Sequence, residues 1–451
     1  MQINNRPVVA LIAADPPMPP TGGGTRTFHF VKAISAATNC NLFVLFPIQK
    51  QELPVSVLDS CNSIQCSRVS FTAKKLKDQF GGFINDLRLL LAPWSLPKQE
   101  VILTTGYFVT HAYNGKNIIR KVYLFFLKHT LSWYVLFLYR NGYLIPAKTL
   151  ERFNQFKELE PSIQESIGNS EILWIDFSSL LPFFPNIRKE HTSLKIVCNA
   201  HNIEYKLLER LESLSKNNLE RKWYKSQAAI MKKAELKGFE DCDLVITCSE
   251  QDRNEILLNL PHANVEVIPN GVDVDYFIPH SALTPEPTLL FTGTMGYEPN
   301  RDAVEYFIKN IFPYVTKINP SCKFIIAGAN AAEVFKNHIG NKQIEIISSP
   351  ADMRPLYDKA WIVVVPLRSG SGTRLKILEA MAMEKPVVST SIGAEGLIVQ
   401  DKIQLLIADD PQEFAERINL LIKDKNITTC LVKAAKEKVL DYYSWNKINE
   451  K

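Results

Sequence analysis

The chain has 451 residues, of which 46% are hydrophobic and 22% are charged, and its formal net charge is +5. This length exceeds one ordinary hydrophobic core and predicts two domains. The composition excludes extensive disorder, and the small positive charge gives no support to nucleic acid as a partner.

Eight cysteines are present, with no CxxC pair and no metal-ligand spacing to histidine. This usage fits a reducing compartment. The N-terminal sequence MQINNRPVVALIAADPP lacks a basic segment and a small-residue cleavage site, so no secretory signal is expected. A cytoplasmic protein is predicted.

An apolar run at residues 8–14 is followed by a turn and then by TGGGTRTFHFVKAIS. The order predicts a strand, a Gly-rich loop and a helix, the first unit of a nucleotide-binding-like fold. The spacing is not GxGxxG, so it gives only weak support to a dinucleotide site, and a tight turn is the alternative. Arg26 either reaches a phosphate or acceptor or lies on the helix surface.

Further strands are predicted at residues 41–46, 101–104, 172–175 and 195–198. Residues 121–144 are strongly apolar and aromatic, but the run is too broken for a spanning helix. It is either a buried core helix or an interfacial segment whose aromatic face enters a membrane.

The sequence KIVCNAHNIEYKLLERLE places His201 directly after a buried strand. A single histidine is most often structural. The residues around His201 decide between a structural role and a role in the site. Asn202 and Glu204 are predicted to cap the next helix. That helix is expected to run from about residue 203 to 239 as a charged, solvated surface without a site.

A Pro-rich segment at 278–287 predicts the domain boundary. Before it, Asp273 lies in an Asn-Gly turn and is expected to serve the turn rather than catalysis. After it, TLLFTGTMGYEPNRDAVEYF predicts a strand, a Gly loop and a helix.

The most informative stretch covers residues 361–397. It predicts a buried strand at 362–366, a Gly/Ser loop at 369–373, a helix at 374–383 and a second strand at 386–389. A continuous apolar run before such a loop is typical of a parallel sheet, and ligands bind at the carboxyl edge of such sheets.

The spacing within this stretch indicates an anion site. Gly370 and Gly372 let backbone N–H groups approach an anion, and the helix presents its positive end. Gly372, Lys376 and Glu379 fall on one helix face at i, i+4 and i+7. This face can offer donors to a diphosphate, a cation beside it and a carboxylate for ribose hydroxyls.

The block PLRSGSGTRLKILEAMAMEKPVVST, followed by GAEGL, resembles the donor-site signature of the GT4-like, retaining group of GT-B glycosyltransferases. In that family a Glu on the helix binds the ribose, and Glu379 matches it. A second Glu is common eight positions earlier, where this chain has Ser371. The GTRLK variant resembles a subgroup in which Arg374 and Lys376 contact the diphosphate.

The resemblance implies an α/β, GT-B fold of two Rossmann-like domains facing across a cleft. Residues 1–280 would form the acceptor-side domain and 288–430 the nucleotide-sugar domain. Residues 431–451 would form a C-terminal helix that packs back on the first domain.

The resemblance also implies site residues in both domains. HNIEY is similar to a family block in which the His lies near the reacting sugar. Many relatives grip the diphosphate with an Arg and a Lys after the first strand of the second domain. Here Thr294 stands at the position of that Arg, and residues 300–301 stand at the position of that Lys. Either Arg301 contacts the diphosphate instead, or Arg374 and Lys376 do. We expect the second. The expected catalytic residues are His201, Lys376 and Arg374, and the expected donor-binding residues are Glu379, Gly370, Ser371, Gly372, Thr373, Gly22, Gly23, Gly24 and Gly293.

The implied reaction is a retaining, metal-independent transfer of a sugar from a nucleotide diphosphate sugar to an acceptor hydroxyl. The acceptor would be a glycan or a lipid-linked molecule in polysaccharide, glycolipid or other cell-surface glycan synthesis, compatible with peripheral contact at the inner face of the membrane. No cofactor and no metal are expected. The alternatives are a non-catalytic, nucleotide-sugar-binding partner of a glycan assembly system and a GT-B epimerase.

Overall fold

The structure is a computed structural model that describes residues 6–17, 22–46, 48–67, 149, 152–215, 218–280, 284–370 and 374–450. The chain separates into two units. The first unit is Met1–Thr247 with Asp252–Val267, and the second is Cys248–Gln251 with Ile268–Lys451. The strand predicted at 101–104 and the apolar segment 121–144 lie outside the described residues.

The described strands of the first unit form one parallel sheet. They are β1 (Val8–Ala13), β2 (Asn39–Val44), β3 (Ser63–Cys66), β4 (Ile172–Asp176), β5 (Lys195–Ala200), β6 (Leu244–Thr247) and β7 (Val265–Val267). Their order across the sheet is β3-β2-β1-β4-β5-β6-β7. The described helices are α1 (Gly22–Ala37), α2 (Val55–Leu58), α3 (Phe153–Gly168), α4 (Ile187–Glu190), α5 (Glu204–Leu214), α6 (Asn218–Glu240) and α7 (Glu250–Asn259).

The second unit repeats this plan. Its described strands are β8 (Thr288–Thr292), β9 (Lys323–Gly328), β10 (Ile344–Ser348), β11 (Ile362–Val365), β12 (Val387–Ser389) and β13 (Leu406–Ile407). They form a parallel sheet in the order β10-β9-β8-β11-β12-β13. Its described helices are α8 (Glu298–Tyr306), α9 (Phe312–Ile318), α10 (Ala331–Val334), α11 (Arg354–Lys359), α12 (Leu375–Ala382), α13 (Ser391–Ala394), α14 (Pro411–Lys423), α15 (Lys425–Lys438) and α16 (Trp445–Ile448).

Each sheet reverses its strand order once, between β1 and β4 in the first unit and between β8 and β11 in the second. In open α/β sheets this reversal leaves a crevice at the carboxyl ends of the two central strands, where ligands bind. The fold therefore provides one such crevice in each unit.

The central strands follow directly from the sequence, whereas an edge strand does not. All four residues of β11 are buried, as expected for a parallel strand covered on both faces. β10 was not predicted. It lies at the sheet edge, and only its first residue is buried, so it lacks the continuous apolar run that identified β11.

The prediction of one solvated helix from about residue 203 to 239 is wrong. The chain forms α5 and α6, with Ser215 in an extended conformation after α5. One face of α6 is buried and includes Met231, Glu235 and Phe239, each at most 1% exposed. The charged residues of this segment lie mainly on its exposed face. Because they dominate the sequence, the burial of the opposite face was not predicted.

The cap of α5 also differs from the prediction. Its N-cap residue is Ile203, which makes no side-chain cap hydrogen bond. The carboxylate of Glu235 caps the helix from α6. It accepts from the N–H groups of Glu204 and Tyr205 at 3.0 and 2.9 Å and from Ser178 Oγ at 2.6 Å. Burial, followed by the charge of Glu204, raises the pKa of Glu235 to about 8.

The last described residues contact their own unit. The Tyr443 hydroxyl accepts a hydrogen bond from the N–H of Ile398 at 2.7 Å, and Val272 forms a β-bridge with Ser444. The packing of 431–451 on the first domain and the boundary at 278–287 stay predictions. Among the described residues, no helix has the length and apolarity needed to cross a membrane.

Replacement of Glu235 by Gln is expected to lower the free energy of unfolding by about 2 kcal/mol. Above the pKa of about 8, both oxygens of the ionised Glu235 carboxylate accept hydrogen bonds from donors. The amide of Gln would turn an NH₂ group toward one of them, so the two proteins are compared at a pH above that value. Urea denaturation measures the change. Glu240→Gln on the same helix, where the side chain is 53% exposed, is the control. Equal stabilities of the two variants would contradict the capping role.

Candidate active site

In the second unit, two glycines follow the two strands that flank the crevice. Gly293 comes directly after β8, and Gly370 lies between β11 and α12. Both have positive φ, +152° and +129°. A Cβ on Gly370 would lie 2.6 Å from Nη2 of Arg374. Glycine is therefore needed at 370 both for the backbone and to admit the guanidinium group.

The loop after β8 is packed as closely as the loop that contains Gly370. A Cβ on Gly293 would lie 2.7 Å from Nδ2 of Asn300 and 3.1 Å from Nζ of Lys376. On its other side, a Cβ on Gly328 would lie 2.0 Å from the carbonyl oxygen of Gly293. The loop thus has no room for a side chain on either side.

The ammonium group of Lys376 is held by uncharged groups. Its Nζ donates to Oδ1 of Asn300 at 2.9 Å and lies 3.9 Å from the ring centroid of Phe291. Asn300 is itself fixed, because its Nδ2 donates to the carbonyl oxygen of Thr294 at 3.0 Å. Burial, and then the charge of Arg374, lowers the pKa of Lys376 to about 7.

Arg374 is the N-cap residue of α12 and is buried. The N-terminal end of a helix carries partial positive charge and favours anions. Arg374 and Lys376 add two cationic side chains to this end. Two cationic side chains at a partly positive helix end favour the binding of an anion there.

Glu379 lies about one turn beyond Lys376 on the same helix. The hydroxyl of Tyr357 donates to its Oε2 at 2.7 Å, and that hydroxyl also lies 3.1 Å from Oγ1 of Thr292. Burial raises the pKa of Glu379, although the Tyr357 hydrogen bond and the Lys376 charge oppose the shift. The carboxylate is thereby held in a fixed position beside the cations.

The structure brings together Gly293, Gly370, Arg374, Lys376 and Glu379, as their expected common site requires. Ser371, Gly372 and Thr373 lie outside the described residues, and the roles assigned from the sequence stay predictions.

Two other predictions concern polar residues of the second unit. Arg301 forms an ion pair with Glu298, one turn away on the same helix. The role expected for Asp273 in a turn is confirmed, because its Oδ1 accepts from the N–H groups of Asp275 and Tyr276 at 3.1 and 3.0 Å.

In the first unit, the glycines after β1 lie in a helix. Gly22, Gly23 and Gly24 form the first turn of α1, not a loop before it, so the predicted boundary is wrong. The first N–H groups of a helix have no intrahelical acceptor, so a helix can begin on glycines without losing hydrogen bonds. The glycines remain candidates for binding an anion through these groups.

His201 follows β5 at the carboxyl edge of the sheet. Its Nε2 lies 3.0 Å from Oδ1 of Asp176, at the end of β4. The imidazole ring stacks on Phe177, with the centroids 3.8 Å apart and the planes at 18°. The ring is thus held both in its plane and at one nitrogen.

The sequence analysis missed the partners of His201. Asn199 Nδ2 donates to Oδ1 of Asp176 at 2.6 Å, and Thr27 Oγ1 donates to Oδ2. Arg26 is fully buried and donates to Asn199, so its predicted alternative role on the helix surface is wrong. The available signal was a polar residue at the end of two buried strands, but only the register pairs Asp176 with Asn199.

Solved structures share this two-domain α/β fold. Sucrose-phosphate synthase from Thermosynechococcus elongatus has a TM-score of 0.64 and 15% identity, covering 99% of this chain and 97% of that one. Anabaena HepE, solved with UDP and glucose, has a TM-score of 0.57 and 12% identity over 99% and 98% of the chains. At these identities the likeness shows the fold, which is that of the GT-B glycosyltransferases.

Family comparisons identify the chain further. The description "Glycosyl transferases group 1" matches residues 286–424, and "Glycosyltransferase Family 4" matches residues 109–276. The protein belongs to the group 1, GT4-like glycosyltransferases.

Two curated relatives match shorter stretches. A 44.6 kDa protein in the cps region of Klebsiella pneumoniae is 37% identical over 139 residues, 29% of this chain and 36% of that protein. A glycosyltransferase of Methanocaldococcus jannaschii is 25% identical over 238 residues, 47% of this chain and 59% of that protein. The chain therefore spans less than two thirds of the length of each.

Gly328→Ala is expected to destabilise the second unit by about 3 kcal/mol or more, because the new Cβ meets backbone rather than a side chain. Gly340→Ala is the matched control. Gly340 also has a positive φ, +89°, but no atom lies within 4 Å of the Cβ position. It should lose only about 1 kcal/mol, from backbone strain. Thermal and urea unfolding measure both, and equal losses would show that the contact with Gly293 is not tight.

Proposed function

We propose that this protein transfers a sugar from a nucleotide diphosphate sugar to a hydroxyl group of a glycan or lipid-linked acceptor. The transfer proceeds with retention at the anomeric carbon and uses protein cations in place of a metal ion. Membership of the glycosyltransferase family supports the reaction class. Retention is supported by the likeness of the block around Glu379 to the retaining group.

One observation carries the proposal for the donor. Lys376 is desolvated, its ammonium contacts two uncharged side chains, and Arg374 lies beside it at the positive end of α12. A diphosphate carries two negative charges at the spacing of neighbouring phosphates. Its binding would compensate both cations, and the backbone N–H groups at the helix start would add hydrogen bonds.

The same groups suit the chemical step. When the bond from the sugar to the nucleoside diphosphate breaks, negative charge grows on the leaving phosphate. Lys376 and Arg374 are positioned before that charge develops, so they stabilise it without reorganisation. Glu379, held by Tyr357, accepts hydrogen bonds from the ribose hydroxyls and fixes the nucleoside on the other side of the cations.

The comparisons support a choice of first substrates. HepE was solved with UDP-glucose as well as with UDP and glucose, and a relative is encoded in a cps region. We therefore propose a UDP-linked sugar as donor and a polysaccharide precursor as acceptor. Calorimetric titration with UDP, GDP and ADP, followed by transfer and hydrolysis assays with the corresponding sugar nucleotides, tests the proposal. Binding of none of them would refute it, and binding without turnover would indicate a non-catalytic partner.

Glu379→Gln is expected to weaken UDP binding about tenfold or more, since a hydrogen bond to a charged group contributes about 1.5–3 kcal/mol. Binding of inorganic pyrophosphate should change little, because pyrophosphate has no ribose. Calorimetry with both ligands separates the two effects. Glu384→Gln, where the side chain is 48% exposed, is the control. An equal loss for UDP and pyrophosphate would argue against the ribose contact.

The affinity for UDP-glucose is expected to fall as the pH rises through about 7, the pKa to which burial and Arg374 lower Lys376. Above this pH the amine is neutral and no longer attracts the diphosphate. The decrease approaches tenfold per pH unit, since one proton must be taken up on binding. Calorimetry from about pH 6 to about pH 8.5 measures it.

Lys376→Met provides the control for this pH dependence. The variant should bind more weakly at low pH and show a flat profile, because the titrating group is gone. UDP-glucose is the suitable ligand, since its diphosphate is a diester and keeps its charge over this range. A flat profile for the unaltered protein would contradict the assignment.

A further inference from the structure

A buried polar cluster lies at the carboxyl ends of β1, β4 and β5, at the strand reversal of the first unit. The register places Asp176 beside Ala13 on one side and Asn199 on the other. Arg26 and Asn199 are fully buried, and Asp176 is 1% exposed. Burial of so many polar atoms is costly unless every group is hydrogen-bonded, so the arrangement of donors and acceptors is tightly constrained.

The orientation of Asn199 is fixed by Arg26. Nε and Nη2 of Arg26 donate to Oδ1 of Asn199 at 3.1 and 2.9 Å. A guanidinium group can only donate, so the amide oxygen must face Arg26 and the amide nitrogen must face Asp176. Nδ2 of Asn199 then donates to Oδ1 of Asp176 at 2.6 Å.

The carboxylate of Asp176 is ionised in this environment. Burial alone would raise its pKa, but His201 and the hydrogen bonds from Thr27 and Asn199 outweigh burial and leave the pKa below its usual value. An ionised carboxylate only accepts hydrogen bonds. Nε2 of His201, 3.0 Å from Oδ1, must therefore carry a hydrogen.

Nδ2 of Asn199 also lies 3.2 Å from Nε2 of His201. Both nitrogens approach Oδ1 of Asp176, which has two lone pairs and can accept from both.

The ring plane is fixed as well. Phe177, on which His201 stacks, has a φ of +95°. A bulky residue rarely adopts positive φ, and such strain persists only where the surrounding structure imposes it. The strained residue directly follows Asp176, so one short segment sets both the hydrogen-bond partner and the plane of the imidazole.

We infer that Asp176 is a positioning residue that keeps the His201 ring, whenever the ring is neutral, in the tautomer with hydrogen on Nε2. Arg26 and Asn199 act one step further back, by orienting the groups that surround Asp176. The effect on sugar transfer rests on the proposed function, whereas the tautomer does not.

The tautomer is measured by NMR of protein labelled with ¹⁵N-histidine, without substrate, at a pH where the spectra show the His201 ring to be neutral. His201→Gln assigns the ring signals. The expected result is a protonated Nε2 and an unprotonated Nδ1. A ring with its hydrogen on Nδ1 overturns the inference.

Asp176→Ala is the decisive variant, because it removes the oxygen that accepts from Nε2. In Asp176→Asn the amide oxygen would still face Nδ2 of Asn199 and Nε2 of His201. Without the acceptor the ring hydrogen is expected to be shared between Nε2 and Nδ1. The value of kcat should fall by about a hundredfold or more, while UDP affinity, which the proposed function assigns to the second unit, stays within about twofold. Retention of hydrogen on Nε2 alone together with an unchanged kcat overturns the inference.

Thr27→Val is the matched control. It removes the donor to Oδ2 of Asp176 and leaves Oδ1 with His201, so the tautomer should be retained; a change of tautomer in this variant contradicts the inference. If Asp176→Ala does not fold, the spectra of the unaltered protein and of Thr27→Val decide. Failure of the donor titrations would refute the proposed function without changing the tautomer result, so the two failures are distinguishable.

Discussion

The electrostatics at the start of α12 constrain much of the second unit. Arg374 and Lys376 lie where the helix is already partially positive, and Lys376 is desolvated as well. The neighbouring residues reduce this unfavourable energy, since Asn300 offers a dipole, Phe291 a ring face and Glu379 a negative charge. Perturbed charged groups of this kind cluster at functional sites.

The close packing around three glycines follows from the need to accommodate these two cationic side chains. Gly370 admits the guanidinium group, and Gly293 leaves space for both Asn300 and the ammonium. Gly328 allows the loop after β8 to lie against β9. These three backbone positions without side chains therefore let the two cationic side chains pack closely against the loops after β8 and β11.

The sequence was sufficient wherever local pattern decides the structure. The apolar run of β11, the following glycines and the common face of Lys376 and Glu379 were all visible in the residues. Asp176 and Asn199 could not be paired, because their contact depends on the register of β4 and β5. The capping role of Glu235 was not predicted for another reason. In a charge-rich helix, a buried carboxylate cannot be told from a surface one by sequence, and only the structure locates the N–H groups that it caps.

Lys376 and Asn300 form a coupled pair across two helices. The resemblance places a lysine near position 300 in many relatives, whereas here a neutral amide accepts a hydrogen bond from the lysine of α12. Two ammonium groups at this distance would repel each other strongly in a desolvated site. A cation on α8 and a cation on α12 are therefore alternatives. The neutral side chain at Asn300 permits this chain to bring its positive charge from the helix that also carries Glu379. In the proposed binding mode, a single rigid element would then set the distance between the diphosphate and the ribose.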